Sequence, residues 1–219
     1  MAGMNPLVLV AVLAALGLLP FMLMMVTSYV KIVVVISLVR NALGVQQVPP
    51  MMVINGLAII FTIFIMGPVA MKTYDLVMSH PTSGNPDLRE ITGLVDAASP
   101  PLREFLEANT DPAVTQVLMN TAKRIWPADR HDTITKTNPL IMIPSFTISE
   151  LTKAFQIGFL LYLPFIAIDL IISNILLAMG MMMVSPMTIS LPFKLLLFVT
   201  LDGWLKISQG LLLSYRQVF

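Results

Sequence analysis

The 219 residues include 57% hydrophobic side chains, only 11% charged ones, and a formal net charge of +1. Soluble globular domains carry about 25% charged residues, so this chain has too few charges to build a water-facing surface. The composition indicates a membrane protein, or a subunit covered on most sides in a larger assembly. The absence of a basic patch argues against nucleic acid as a partner, and the absence of cysteine excludes disulfides and thiolate metal sites.

The N-terminal part of the chain consists of hydrophobic runs with few charges. Residues 6–26 form an uncharged run of 21 residues, long enough to cross a hydrocarbon core of about 30 Å. The first charged side chain is Lys31, and since a cleaved signal peptide normally begins with basic residues, we expect the N-terminus to be retained. A second apolar strip lies between Lys31 and Arg40, Gly44 is placed to terminate its helix, and residues 51–71 form a further uncharged run.

The middle of the chain is polar. Between residues 73 and 153 there are seven Lys/Arg against ten Asp/Glu. Asp111 followed by Pro112 is a typical helix N-cap with proline at the first helical position, and the apolar residues after it recur at helical spacing. We therefore predict a small helical insert. Its acidic balance suggests the translocated side of a membrane, although the orientation rule counts Lys and Arg in short loops.

The C-terminal part is hydrophobic again and contains a run of methionines. Residues 147–150 (Thr-Ile-Ser-Glu) fit a capping box, which predicts the start of a long helix there. That helix is expected to end at Met179–Met187, which reads MGMMMVSPM, because this run contains both a glycine and a proline. Residues 188–215 are then expected to form one last apolar helix, so that the two helices pair as a hairpin with the methionines at its tip.

These patterns predict an all-α fold: membrane-associated helical hairpins with a small polar helical insert. We expect hydrophobic helices over residues 1–72, the insert over residues 73–148, and the C-terminal hairpin with its methionine-rich tip over residues 149–219. No internal repeat is evident in the sequence.

Catalytic constellations are missing from the sequence. The two histidines, His80 and His131, both lie in the insert and are too far apart to form a local metal-binding pair. No phosphate loop, dinucleotide fingerprint or nucleophile elbow occurs. We therefore expect a protein that is not an enzyme and that needs no metal or cofactor.

Ionisable side chains within the hydrophobic segments predict charge pairing. Such groups are costly at membrane depth and usually face protein or a water-filled cavity. With the hairpin tip placed near Val184, Asp169 and Lys194 lie about five residues out of step, or roughly 7–8 Å along a helix. This mismatch favours pairing between copies of the chain over pairing within the hairpin, with an ion or proton pathway as the alternative. The residues assigned to inter-subunit pairing are Lys31, Arg40, Asp169, Lys194, Asp202 and Lys206, with the last three expected on one helix face.

The consecutive residues Met181, Met182 and Met183 invite a functional interpretation. On a helix they would point in three directions, and one packed face cannot use them all. Filling of core or lipid-facing space is the simpler explanation for other methionines of the chain. Unbranched thioether side chains adapt to varied neighbours, so a mobile apolar loop of this kind is suited to sealing a pore by excluding water.

Three unbroken stretches of the sequence resemble the SctR/FliP family of type III secretion export-gate subunits. They are TSYVKIVVVISLVRNALGVQQVPP (27–50), NGLAIIFTIFIMGPV (55–69) and the segment 149–204, which together cover close to half of the chain. The serine in MVSPMT is more similar to the virulence (injectisome) branch than to the flagellar one.

The resemblance implies a role in protein export across the bacterial inner membrane. Several copies of the subunit would assemble with SctS-like and SctT-like subunits into an entry portal, next to the large export-gate protein of the system and in contact with membrane lipid. Unfolded secreted substrates would pass through the centre, and Met181, Met182 and Met183 would line the channel as a gasket. The insert would lie on the periplasmic side. A small-solute or ion transporter acting without protein partners is the alternative, with Asp169 and Asn174 as its candidate polar groups.

Overall fold

A computed structural model of the chain describes residues 6–45, 47–79 and 88–216, which contain α-helices, one short 3-10 helix and no strand. The predicted all-α fold class is confirmed. In chain order the helices are α1 (Pro6–Met25), α2 (Tyr29–Leu43), α3 (Met51–Met78), α4 (Leu88–Asn109), α5 (Pro112–Ile125), the 3-10 helix (Ala128–Thr133), α6 (Pro139–Ala178), α7 (Pro186–Thr200) and α8 (Gly203–Leu213).

Among the described residues, α3 and α6 are each long and apolar enough to cross a membrane. The pair α7 and α8, which are bent by 59° at a short break, meets the same test if it is counted as one span. The helical hairpins suited to a membrane are therefore present in the fold, as the sequence predicted.

Two predicted helix ends are confirmed. Gly44 follows α2 in the left-handed conformation with φ 74°, which suits a residue without a Cβ. Asp111 caps α5, since its side chain accepts a hydrogen bond of 2.8 Å from the backbone amide of Ala113. Pro112 occupies the first position of that helix, where its missing amide hydrogen costs nothing.

The start of α6 was predicted in the wrong place. The helix begins at Pro139, where the Asn138 side chain accepts a hydrogen bond of 2.9 Å from Leu140 N. Thr147 is not a cap, because it lies inside the helix and donates to the carbonyl of Ile143. Asn138–Pro139 carries the same N-cap and proline signature as α5, and this signal outweighed the capping box. The proposed segment boundaries after residues 72 and 148 fall inside α3 and α6.

The last apolar helix was predicted as continuous, and this is also wrong. The chain breaks between α7 and α8, where Asp202 has a positive φ of 51°. A Cβ on Gly203 would lie 2.4 Å from Phe198 Cε2, so the break needs glycine at that position. Lys194 is consequently separated from Lys206 by the bend, and the predicted common face of Lys194, Asp202 and Lys206 does not exist.

Helix α2 lies at the centre of the packed core, against α6, α3 and α7. Its contact with α6 is close, because a Cβ on Gly158 would fall 2.2 Å from Leu38 Cδ1. The first half of α6 is well buried on one face, whereas Phe165 and Leu176 are the buried residues of its second half. We call the region where α2, α4 and residues 139–158 of α6 pack together the base of the molecule.

Candidate functional site: the methionine loop and two ion-pair clusters

The methionine loop, residues 179–185, joins α6 to α7. Met179 is the C-cap of α6, and Gly180 follows with a positive φ of 71°. The amide of Gly180 donates to Leu177 O and the amide of Met181 donates to Leu176 O, at 3.0 and 2.9 Å. This pair of hydrogen bonds is a Schellman motif, which satisfies carbonyls at the end of a helix. The prediction that the backbone leaves the helix here is confirmed.

The methionine side chains of this loop extend away from the rest of the chain. The exposed fractions are 48% for Met181, 81% for Met182 and 101% for Met183. Their neighbours Met179 and Met187 are also more than half exposed. Exposed apolar patches of this kind mark interaction surfaces in native proteins. The loop therefore presents apolar surface that its own chain does not cover, as do the outer faces of α6 and α7.

Asp169 and Lys194 pair within the hairpin, which corrects the prediction that they pair between copies. Lys194 Nζ lies 2.6 Å from Asp169 Oδ2, with side-chain exposed fractions of 3% and 32%. The prediction failed because it placed the tip at Val184. Asp169 lies nine residues before the end of α6 at Ala178, and Lys194 lies eight residues after the start of α7 at Pro186, so the two are nearly in register.

Two further contacts complete this cluster. Ser190 Oγ donates a hydrogen bond of 2.5 Å to Asp169 Oδ1, so both carboxylate oxygens are held by α7. Lys194 Nζ also donates to the carbonyl of Ala42 in the last turn of α2, at 3.2 Å. The lysine therefore connects both helices of the hairpin to α2.

A second ion-pair cluster lies in the base of the molecule. Lys31 and Glu150 are each 1% exposed, and Lys31 Nζ lies 3.1 Å from Glu150 Oε2 without the alignment of a hydrogen bond. Lys153 contacts the other oxygen of Glu150 at 3.2 Å and also donates to the carbonyl of Asn109. The Lys31 ammonium lies 3.5 Å from the centre of the Tyr215 ring, a cation–π contact. Lys31 is thus enclosed by its own chain, and its predicted role in inter-subunit pairing is wrong.

The base cluster also holds the C-terminal end of the described chain. Tyr215 donates a hydrogen bond of 3.2 Å to the carbonyl of Ser28, and the Arg216 amide donates to Asn109 Oδ1 at 2.9 Å. Burial lowers the pKa of Lys31 below its ordinary value, and the charge of Glu150 opposes that shift. Burial and the Glu150 charge both raise the pKa of Tyr215 well above its ordinary value, so the phenol stays protonated.

The sequence reasoning missed Glu150 because it assigned this residue to a helix cap. A carboxylate within the apolar pattern of residues 140–178, followed three positions later by Lys153, was the signal that could have identified it. Arg40 donates a 3.5 Å hydrogen bond to Pro49 O across the turn between α2 and α3. No ion pair joins Asp202 and Lys206 in the part of the chain that the structure describes. The inter-subunit pairing of Arg40, Asp202 and Lys206 stays a prediction.

No group of three His, Cys, Asp or Glu side chains is placed to hold a metal ion within the described ranges. His131 Nε2 lies 3.1 Å from the carbonyl of Trp126 in the insert. His80, the other histidine considered in the sequence, lies outside the described residues.

The sequence pattern that defines the FliP family matches residues 12–211, which include the methionine loop and both ion-pair clusters except Tyr215 and Arg216. The chain belongs to the FliP family. The family resemblance predicted from the sequence is therefore confirmed.

Individual relatives match the FliP-family chain over nearly its full length. "Yop proteins translocation protein R" of Yersinia pestis is 51% identical over 207 residues, covering 94% of this chain and 95% of that protein. "Virulence protein YscR" of Salmonella typhimurium is 49% identical over 201 residues, or 91% and 92% of the two chains. "Hypersensitivity response secretion protein HrcR" of Ralstonia nicotianae is 46% identical over 209 residues, or 95% and 96%.

Proposed function

We propose that this FliP-family chain is a membrane subunit of a type III protein secretion apparatus, where it forms part of a channel for unfolded proteins and seals that channel with the methionine loop. Membership of the family and the similarity to proteins named for translocation and secretion support the apparatus. The observation that supports the seal is the exposure of Met181, Met182 and Met183 at the turn of the hairpin. The chain acts by opening and closing a passage, not by catalysis.

The chemistry of the methionine side chain fits such a seal. At rest, a secretion channel must exclude water, ions and protons, whereas during export it must admit extended chains of any sequence. A narrow apolar constriction excludes water. Unbranched thioether side chains change shape more easily than branched or aromatic ones, so a ring of them fits around many different side chains.

The proposed partners are those that cover exposed apolar surface. The outer face of α3 exposes Ile63 and Phe64, and α6 exposes Phe159 and Leu160, each by more than 60%. In the assembly, further copies of this chain, SctS-like and SctT-like subunits, and lipid of the bacterial inner membrane would cover these faces. The large export-gate protein would contact the complex, unfolded substrates would contact the methionine loop, and the polar insert would lie on the periplasmic side.

A transporter of small solutes would need polar groups near a broken helix within the membrane. Helix α6, which carries the candidate polar groups Asp169 and Asn174, continues through Pro164 without a break. Asp169, the main candidate for coordinating a solute, is already bound by Lys194 and Ser190. These contacts favour the secretion subunit over the transporter.

The seal can be tested by replacing Met181, Met182 and Met183 together with glycine in the assembled complex. We expect ions or small molecules to leak through the resting complex, because glycine removes the apolar side chains that exclude water. The matched controls are leucine at the same three positions, which should keep the resting seal, and leucine at three exposed methionines of α1, which should change nothing (Met22, Met24 and Met25). Unchanged permeability of the glycine variant, with the complex intact, would contradict the proposal.

A further inference from the structure

We propose that Asp169, Lys194 and the Ala42 carbonyl form a latch that holds the hairpin of α6 and α7 on the end of α2 and thereby positions the methionine loop. The three groups come from three helices and meet at one ammonium, with Lys194 Nζ 2.6 Å from Asp169 Oδ2 and 3.2 Å from Ala42 O. We call this set of contacts the hairpin latch.

The latch requires a positive charge at position 194. Ala42 belongs to the last turn of α2, whose carbonyls have no partners within the helix and carry its negative end. A cation is therefore favoured at position 194 and an anion is disfavoured. Gly44 follows in the left-handed conformation, and a Cβ there would lie 3.9 Å from Lys194 Nζ, so the turn after α2 lies next to the ammonium. The carboxylate of Asp169, which is partly exposed, neutralises the buried charge of Lys194.

The position of the latch along the hairpin gives it control of the tip. Between residues 170 and 189 only Leu176 is buried, so few packing contacts fix the hairpin beyond Asp169. Met187, which lies just past the methionine loop, lines a cavity of about 290 Å³ together with Arg40 and Gly44 at the end of α2. The start of α7 thus lies beside the end of α2, and the latch fixes the hairpin at this point, which makes Asp169 and Lys194 positioning residues for the loop.

The latch can be tested by measuring where the tip lies relative to α3. Because the chain has no cysteine of its own, spin labels react only with the cysteines that are introduced. Double electron–electron resonance between Met182→Cys and Met52→Cys, which are 81% and 84% exposed, reports the tip. A second pair joins Val117→Cys on α5 to Ile148→Cys in the base, and its distances are called the base distribution. The full-length chain is measured in lipid nanodiscs, diluted with unlabelled chain so that distances within one copy are observed.

Lys194→Met should broaden the tip distribution and leave the base distribution unchanged. The matched control is Lys136→Met, since Lys136 is exposed in the turn between the 3-10 helix and α6 and should not affect either pair. If Lys194→Met lowers the helix content measured by circular dichroism, Asp169→Asn replaces it, because this variant removes the charge but keeps a hydrogen-bond acceptor. Its expected effect is a smaller broadening of the same distribution. An unchanged tip distribution in the folded variant would overturn the latch.

A charge exchange separates the latch from an ordinary ion pair. In the double variant Asp169→Lys with Lys194→Asp, the two charges still attract, but an anion at position 194 faces the Ala42 carbonyl. The latch predicts that the tip distribution stays broad in this variant. Recovery of the original distribution would overturn it, because attraction between the two side chains would then be sufficient.

The consequence of the latch for export rests on the proposed function. A leak measurement on the Lys194→Met complex tests the latch and the seal separately. A broadened tip distribution with increased leak supports both proposals. A broadened distribution with a tight channel supports the latch and contradicts the seal. An unchanged distribution overturns the latch whatever the leak.

Discussion

The base and the tip of the molecule use equally apolar helices in opposite ways. At the base, one face of α6 packs against its own chain, where Phe146 is 1% exposed and Glu150 is enclosed. At the tip, the same helix ends in a loop whose methionines lie 48% to 101% exposed. The difference shows that the base buries its apolar side chains within the chain, whereas the methionines of the tip have no cover from their own chain.

The ion pair of the base, Lys31–Glu150, is also more deeply buried than the ion pair of the hairpin, Asp169–Lys194. Lys31 and Glu150 are both 1% exposed and are surrounded by partners from α4, α6 and the C-terminal end. Asp169 is 32% exposed, so its pair with Lys194 can be reached by water. A buried pair adds little net stability over apolar residues, but removal of one partner leaves an uncompensated charge. The base is therefore the more sensitive of the two regions to a lost charge.

The largest effect is expected from Glu150→Gln. This change leaves Lys31 buried without a counter-charge, which typically costs about 3–5 kcal/mol. We expect a corresponding fall in the free energy of unfolding of the purified chain in detergent, measured by circular dichroism. Glu104→Gln on the exposed side of α4 is the matched control and should change stability little. Equal stability of both variants would show that the base does not depend on its ion pair.

One methionine in the base and one in the methionine loop provide a direct comparison of base and tip. Met142 is 8% exposed in the base, and Met183 is fully exposed in the loop. Met142→Ala should lower the free energy of unfolding by about 2–5 kcal/mol through the lost contacts and the cavity, and Met183→Ala by less than about 0.5 kcal/mol. Unfolding curves of the two variants under identical conditions measure the difference. Similar losses in both would mean that the loop packs within the isolated chain.

Patterns that depend on neighbouring residues could be predicted from the sequence. The helical class, the end of α2 at Gly44, the cap of α5 at Asp111 and the break at the methionine run all follow from local backbone preferences. The family resemblance added the proposed role of the methionines, which hydrophobic periodicity alone does not supply.

Features that depend on three-dimensional registration could not be predicted. The Asp169–Lys194 pair required the ends of α6 and α7 to be known to within a few residues, and an error in the tip position moved the pair out of reach. The contact of Lys194 with Ala42 joins residues 152 positions apart. The role of Glu150 was hidden because two N-cap signals, at Asn138 and at Thr147, lie close together in the sequence, and only the structure shows that Asn138 starts α6.

The most direct test of the proposed seal is a photo-crosslink from the methionine loop to a substrate halted during export. A photoreactive amino acid at position 182 should form an adduct with the halted polypeptide, whereas the same group at position 52, which is equally exposed in the isolated chain, should not. An adduct at position 182 only with lipid or with neighbouring subunits, while the substrate is held in the complex, would contradict the placement of the loop on the export path.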